Sequence, residues 1–287
     1  MTRDLSTLRR FTAKDTEKPH LLMMNEFPAS RILDALRRRI ADVPDRLWWL
    51  FGSGARHNRT ALRELKDRHR GETCVIICNG PSLNRTDLKL IRDLPSIGMN
   101  RSYLMFEQWG FVPTYFAVTA QHVIEQFAED IRQLPMPKFV NASYRSRFAG
   151  DRDCFYLRIP PRVVQAFGTD LAQPISSGGT VTYAALQVAY HLGFATVIII
   201  GMDHRFAAQG TPNATEVRQS EVDRDHMHPD YFPKGTKWEL PDLRRSEIAY
   251  RFARQAYEAA GRRIIDATVD GACTVFEKMA LKDALDR

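Results

Sequence analysis

Ser176-Ser177-Gly178-Gly179-Thr180, a helix-length stretch closed by Gly193, and then Thr196-Val197-Ile198-Ile199-Ile200-Gly201-Met202-Asp203 read as one helix feeding one buried strand. The strand is apolar at consecutive positions rather than alternate ones, so both its faces are covered. Hydroxyls and glycines open the helix and a glycine stops it. Residues 73–78, TCVIIC, repeat the apolar run and end in Asn79-Gly80-Pro81-Ser82, with a helix expected over 86–94. Working outward, short strands are expected at 96–99, 115–119, 138–141, 154–157 and 263–267. Helices are expected at 103–109, 121–133, 161–167 and 241–261. Strands alternating with helices predict an α/β fold: a Rossmann-like, mainly parallel sheet with helices on both faces.

The sequence divides into an N-terminal helical, basic-aromatic extension over 1–71 and a Rossmann-like domain over 72–287. Residues 1–25 read as a loosely held arm. Residues 30–40 form an amphipathic helix with Ile32, Leu33, Leu36 and Ile40 on one side and Arg37, Arg38 and Arg39 elsewhere. Trp48-Trp49-Leu50-Phe51 and Gly52-Ser53-Gly54 follow, then a basic helix over 60–69. The aromatic cluster has two readings: peripheral contact with an anionic membrane, or packing onto the main domain or a partner subunit of a homo-oligomer. Residues 204–241, rich in His, Pro and Gly, form a C-terminal lid-like loop, long enough to suggest a binding segment.

At 287 residues, 44% hydrophobic and 26% charged, the chain has ordinary globular composition. A net charge of +7 suits nucleic acid, a membrane surface or anionic small molecules. The arginines are scattered and no nucleic-acid-binding motif is present, so no nucleic-acid partner is expected. None of the four cysteines forms a CxxC pair. Cys74 and Cys78, four apart in a strand, read as core residues on one face. No apolar run is long enough to span a bilayer and Met1 to Leu5 lack a signal's apolar region. The expectation is a cytoplasmic protein, with the inner membrane as its peripheral site if the aromatic segment binds lipid.

Gly80 allows a sharp turn and close ligand approach, Pro81 fixes φ, and Ser82 is placed to cap the following helix. Ser176, Ser177, Gly178 and Gly179 repeat the arrangement, so two strand–helix junctions face one crevice suited to phosphate. Asp203 reads either as a ligand for ribose, metal or an acceptor hydroxyl, or as a turn cap. His226 and His228 are candidate general bases; no established zinc spacing includes them, and no metal ligands are assigned.

The order strand–NGPSL–helix, MNRSY near residue 100, and SSGG–helix–TVIIIGMD resembles the bacterial sialyltransferases of glycosyltransferase family 42. It also resembles the broader domain family 115, which includes motility accessory factors and archaeal 6-hydroxymethylpterin pyrophosphokinases. The resemblance covers residues 72–119 and 174–206, with a looser match through the last helix and strand. It implies contacts to a cytidine monophosphate (CMP) donor from Asn79, Gly80, Ser82, Asn100, Ser177 and Gly178. The sequence departs from the pattern where Thr119 replaces an Asn, where Arg205 stands for the lid tyrosine that steadies the donor phosphate, and where the catalytic histidine falls near Pro241. His226 or His228 would have to take that role.

Three functions follow as expectations. The first is transfer of a sugar acid, sialic-acid-like or related, from a CMP-activated donor to a glycan or glycolipid acceptor, with no obligatory cofactor. The second is a 6-hydroxymethylpterin pyrophosphokinase-like reaction using ATP and Mg2+. The third is a non-catalytic nucleotide-binding module.

Overall fold

The computed structural model describes residues 29–161, 166–208 and 210–286. The arm expected at 1–25 and residues 162–165 of the helix expected at 161–167 lie outside the described residues. One helix, α1 (Ala29–Ala41), belongs to a first unit ending at Ala41, and Asp42–Arg287 form a second, compact unit. Residues 42–71 fall in that unit and not with an extension ending at 71.

In the compact unit, α2 (Val43–Phe51) and α3 (Ser53–Leu65) precede β1 (Thr73–Ile77). The chain continues through β2 (Ser96–Met99), the short α4 (Phe106–Trp109), β3 (Tyr115–Val118), α5 (Gln121–Arg132), β4 (Lys138–Asn141) and β5 (Cys154–Leu157). It then crosses back through α6 (Val181–Leu192) to β6 (Thr196–Ile200). A small antiparallel pair follows, β7 (Thr215–Val217) with β8 (Lys237–Glu239). The chain closes with α7 (Leu243–Ala259), β9 (Arg263–Asp266), β10 (Glu277–Lys278) and α8 (Leu281–Leu285).

Eight strands make one parallel sheet in the order β10-β9-β6-β1-β2-β3-β4-β5. The α/β, Rossmann-like reading therefore holds. The order reverses between β1 and β6, whose in-register pairing runs from Thr73 opposite Thr196 to Ile77 opposite Ile200. A switch of this kind leaves a crevice beyond the C-terminal strand ends, because the flanking connections leave in opposite directions. Alternate residues of the central strands serve two cores. Cys74, Ile76, Val197 and Ile199 pack with α3, α6 and α7, whereas Val75, Ile77, Ile198 and Ile200 pack with α5 and the segment carrying Tyr231 and Trp238. Cys74 and Cys78 share the first core as expected, and burial pushes the Cys78 thiol up to about 12.

Two expectations are corrected. Residues 86–94 form no α-helix: a 3-10 turn at Pro81–Arg85 is followed, after extended Thr86, by another at Leu88–Ile91. The Thr86 hydroxyl bonds back to the Ser82 carbonyl at 3.0 Å and the Asp87 side chain takes the Lys89 N–H at 3.2 Å, and both bonds compete with helix continuation. The basic helix begins at Ser53 and ends at Leu65, before the expected 69. Its buried Asn58 explains the placement: Asn58 bonds the Tyr156 carbonyl at 2.9 Å and accepts the Tyr156 N–H at 2.8 Å. The helix thereby covers edge strand β5, whose backbone would otherwise be open to pairing.

Candidate functional site

The turn after β1 is fastened to the end of β6. Cys78 N–H donates to the Ile200 carbonyl at 2.9 Å and Gly80 N–H to the Gly201 carbonyl at 2.8 Å. Asp203 lies so close that a Cβ on Gly80 would sit 2.0 Å from its Oδ2 and 2.6 Å from the Gly201 oxygen. Ser82 is buried and donates to Asp203 from its backbone N–H at 3.2 Å and its hydroxyl at 2.5 Å. Ser82 thus lies inside the 3-10 turn bonding an acid instead of capping an α-helix, and Pro81 opens that turn. Asp203 thus accepts from the Pro81–Arg85 turn and not from the turn that follows it in the sequence.

Beyond these strand ends lies a cleft of about 250 Å3. Asn79 and Gly80 enter it after β1, Asn100 after β2, Gln121 and His122 after β3, and Asp203, His204 and Arg205 after β6. Asn79 is only 8% exposed, yet its Oδ1 has no partner; Asn100 Oδ1 is likewise buried and unpartnered. Buried acceptors are almost always satisfied, so two orphans lining one cleft mark where a ligand's donors fit. Asn100 has φ +50°, a left-handed conformation that Asn tolerates better than most residues. Its N–H is held by the Ala117 carbonyl at 3.1 Å.

The segment expected as a lid forms the cleft's far wall. Arg101 is buried, donates to the carbonyls of Asp230 (2.8 Å) and Tyr231, and lies 3.8 Å over the Phe127 ring. Met227 N–H reaches the Asn79 carbonyl at 2.9 Å and Asn84 Nδ2 reaches the Met227 carbonyl at 2.9 Å. These bonds bring His226 into the cleft. Its Nδ1 lies 2.9 Å from Asp223 Oδ2 and its ring stacks on Tyr231 with centroids 4.0 Å apart. A carboxylate only accepts, so Nδ1 carries the proton and Nε2 is the basic nitrogen. Burial raises the Asp223 pKa, but the His226 bond, the Asp225 N–H and the Arg218 guanidinium outweigh it and hold the carboxyl below its ordinary value.

The Ser-Gly junction divides between two pockets. Gly179 and Thr180 line the main cleft at the start of α6, where the Thr180 hydroxyl caps the helix by accepting Thr182 N–H at 3.3 Å. Ser176 and Gly178 line a neighbouring pocket of about 160 Å3 with Arg244 and Arg245. Ser177 lines neither; its Oγ accepts from Arg245 at 3.2 Å. Gly178, at φ +57°, would place a Cβ 2.3 Å from the Tyr183 ring. His228 accepts the Asp230 N–H at 3.0 Å and does not line the cleft. Arg205 is exposed at the cleft and its guanidinium bonds the Asp270 carbonyl.

The cleft also holds residues that the sequence reading left out. His122 follows β3 and sits 3.2 Å from the Thr215 hydroxyl. His204 has φ +55° and Nε2 3.2 Å from Glu247. Tyr250 enters from α7, and burial pushes its phenol up, so it remains an O–H. His122 had a signal in its position just past a strand; Tyr250 had none beyond helical periodicity. Among the described residues no three His, Cys, Asp or Glu side chains gather as a metal site, and no helix is long and apolar enough to cross a membrane.

Among curated proteins no sequence matches the chain. A solved structure of the MAf glycosyltransferase from Magnetospirillum magneticum AMB-1 is similar at 14% identity and a TM-score of 0.48, over 77% of this chain and 38% of that one. The chain thus spans well under half the length of that protein. A family model, 6-hydroxymethylpterin diphosphokinase MptE-like, matches residues 54–209, which include β1 to β6 and most of the cleft. That match covers more than half of the sequence, and the chain belongs to the MptE-like family.

Proposed function

We propose that this chain is an enzyme that transfers a group from a nucleotide donor to an acceptor hydroxyl, and that the donor is a CMP-activated sugar acid. The observation that carries the reading is the His226–Asp223 pair in the same cleft as the unpartnered Asn79 and Asn100 oxygens. Asn79 and Asn100 accept hydrogen bonds from ribose hydroxyls or a base amino group. The N-terminal end of α6, beside Gly179 and Thr180 in the cleft, gives the donor phosphate a favourable helix dipole. His226 Nε2 takes the acceptor's proton as its oxygen attacks the anomeric carbon. The bond from that carbon to the phosphate oxygen breaks, CMP leaves with the electron pair, and Asp223 steadies the imidazolium.

A second reading, diphosphate transfer from ATP, is favoured by the family's name. It requires magnesium, whose usual ligands are carboxylates, phosphates and water. Three cleft carboxylates already accept bonds within the fold: Asp203 from Ser82, Asp225 from Ala207 N–H at 2.6 Å, and Asp242 from Arg245 N–H at 2.9 Å and Asn213 at 2.9 Å. Such bonds orient a ligating carboxylate as readily as they occupy it, so Asp203 or the exposed Glu239 of the cleft would hold the ion beside the phosphates. A CMP donor carries its own leaving group and needs no such ion.

The test is CMP release from CMP-activated sugar acids across glycan and glycolipid acceptors, with His226→Ala alongside. Acceptor-dependent release without magnesium, reduced about 10²–10⁴-fold by the substitution, supports the reading. Turnover only with ATP and magnesium selects diphosphate transfer, and an unchanged rate in His226→Ala removes His226 as the base.

A further inference from the structure

The exposed apolar side chains of the chain are not scattered. Of the eleven large hydrophobic residues exposed among the described residues, seven fall between Leu33 and Phe51. A monomeric surface carries isolated apolar residues routinely, but a concentration of this kind marks contact with something else.

On α2, Val43, Leu47, Leu50 and Phe51 are exposed, at 47%, 51%, 51% and 73%. Their spacing of four, three and one puts them on one helical face. The opposite face is committed to the body of the protein. Trp49 is buried, Trp48 meets the Tyr156 ring edge-on at 6.1 Å, and Asp45 pairs with Arg145. The two tryptophans of the aromatic cluster therefore pack inward, whereas the aliphatic and phenyl side chains before and after them point outward. On α1, described by itself, Leu33, Leu36 and Ile40 are exposed at 52%, 53% and 62%, again on one face.

Charge selects the occupant. Arg37 and Arg39 are exposed beside the α1 stripe and Arg46 beside the α2 stripe. Beside Arg46 the acids are already committed: Asp42, at the start of α2, is paired with buried Arg158 at 2.5 Å, and Asp45 with Arg145. Each stripe is therefore flanked by exposed positive charge on its own helix. An anionic lipid surface neutralises them, while their aliphatic stems extend the apolar stripe.

We propose that α2 is a membrane-docking helix for anionic phospholipid, with Leu47, Leu50 and Phe51 entering the acyl boundary and Arg46 meeting headgroup phosphates, and that α1, taken by itself, carries a second such stripe whose Arg37 and Arg39 meet them. Each helix lies on the bilayer and does not cross it: α1 and α2 are too short, and no helix among the described residues is long and apolar enough to span.

Co-sedimentation of the full chain with vesicles tests this. The vesicles are phosphatidylcholine alone, or about two parts phosphatidylcholine to one part phosphatidylglycerol, each at low and high salt. Binding is expected to the anionic vesicles only and to weaken with salt. Leu47→Glu with Phe51→Glu should reduce it at least tenfold, as should Arg37→Glu with Arg39→Glu and Arg46→Glu, without lowering the melting temperature. The proposal is overturned if the chain ignores anionic vesicles at low salt, or if both variants bind as the wild type does. It is also overturned if the wild type is a dimer that Leu47→Glu with Phe51→Glu dissociates while neither form binds lipid; the face then belongs to a second copy.

Discussion

Asp223 holds His226 by a 2.9 Å hydrogen bond to Nδ1, and Arg218 holds Asp223 in turn at 3.2 Å. The chain of three fixes which nitrogen of the imidazole is basic. Asp223→Asn presents an amide in place of the carboxylate and no longer selects that tautomer. Turnover is expected to fall about 10²–10⁴-fold with nucleotide affinity changed less than threefold, about the scatter of ordinary contacts. Steady-state rates beside a binding titration check this; equal losses in both would make Asp223 a fold residue only.

The same carboxyl makes a signed prediction about pH. Its folded pKa is below the ordinary 3.8, so the unfolded chain binds its proton first as pH falls. The stability it contributes is present above about 3.8 and is lost as pH drops from there through the folded value. Denaturant midpoints measured from about pH 6 to about pH 3 should fall more steeply for wild type than for Asp223→Asn. Parallel slopes would remove the coupling.

Gly80→Ala places a Cβ against a carboxylate and a backbone oxygen that cannot both withdraw, since Asp203 is held by Ser82 and the Gly201 oxygen by the Gly80 N–H. A loss of roughly 1–3 kcal/mol is expected from overpacking, with nucleotide binding weakened as the turn shifts. Urea denaturation checks the first effect; a midpoint equal to wild type would show that the turn has room.

Arg101 ties the far wall to the sheet, since its guanidinium reaches two carbonyls of that wall and covers Phe127. Arg101→Met keeps much of the packing but leaves the Asp230 and Tyr231 carbonyls unbonded. About 1.5–3 kcal/mol is expected from the lost charged bonds. Hydrogen exchange should rise in residues 223–240 ahead of the central strands, because local opening there no longer needs those bonds broken. Uniform exchange would place Arg101 in the global core instead.

What was legible in the sequence was the part fixed by local pattern. TCVIIC and TVIII are apolar without alternation, so they announce buried parallel strands, and Thr180 with Gly193 brackets α6. The switch between β1 and β6 follows once those strands are neighbours. What depended on distant partners was not legible. Ser82 has the composition of a helix cap, but its partner is Asp203, far along the chain. Ser177 has the composition of a phosphate turn, but Arg245 of α7 bonds its hydroxyl. The aromatic segment reads either as a lipid contact or as packing on the main domain, and only the fold shows Asp42, Asp45 and Trp48 reaching β5 and its flanks. His226 was legible as a candidate; Asp223 as its orienting partner needed the fold.

The central claim is that the cleft holds a nucleotide through Asn79 and Asn100, and thermal shift with CMP, with and without magnesium, tests it most directly. At 100 times its dissociation constant a ligand stabilises by about 2.7 kcal/mol, a rise of several degrees for a chain of this size. The account predicts such a rise with CMP independent of magnesium, diminished in Asn79→Ala and Asn100→Ala. No shift with CMP, or a shift that both substitutions leave intact, would contradict it.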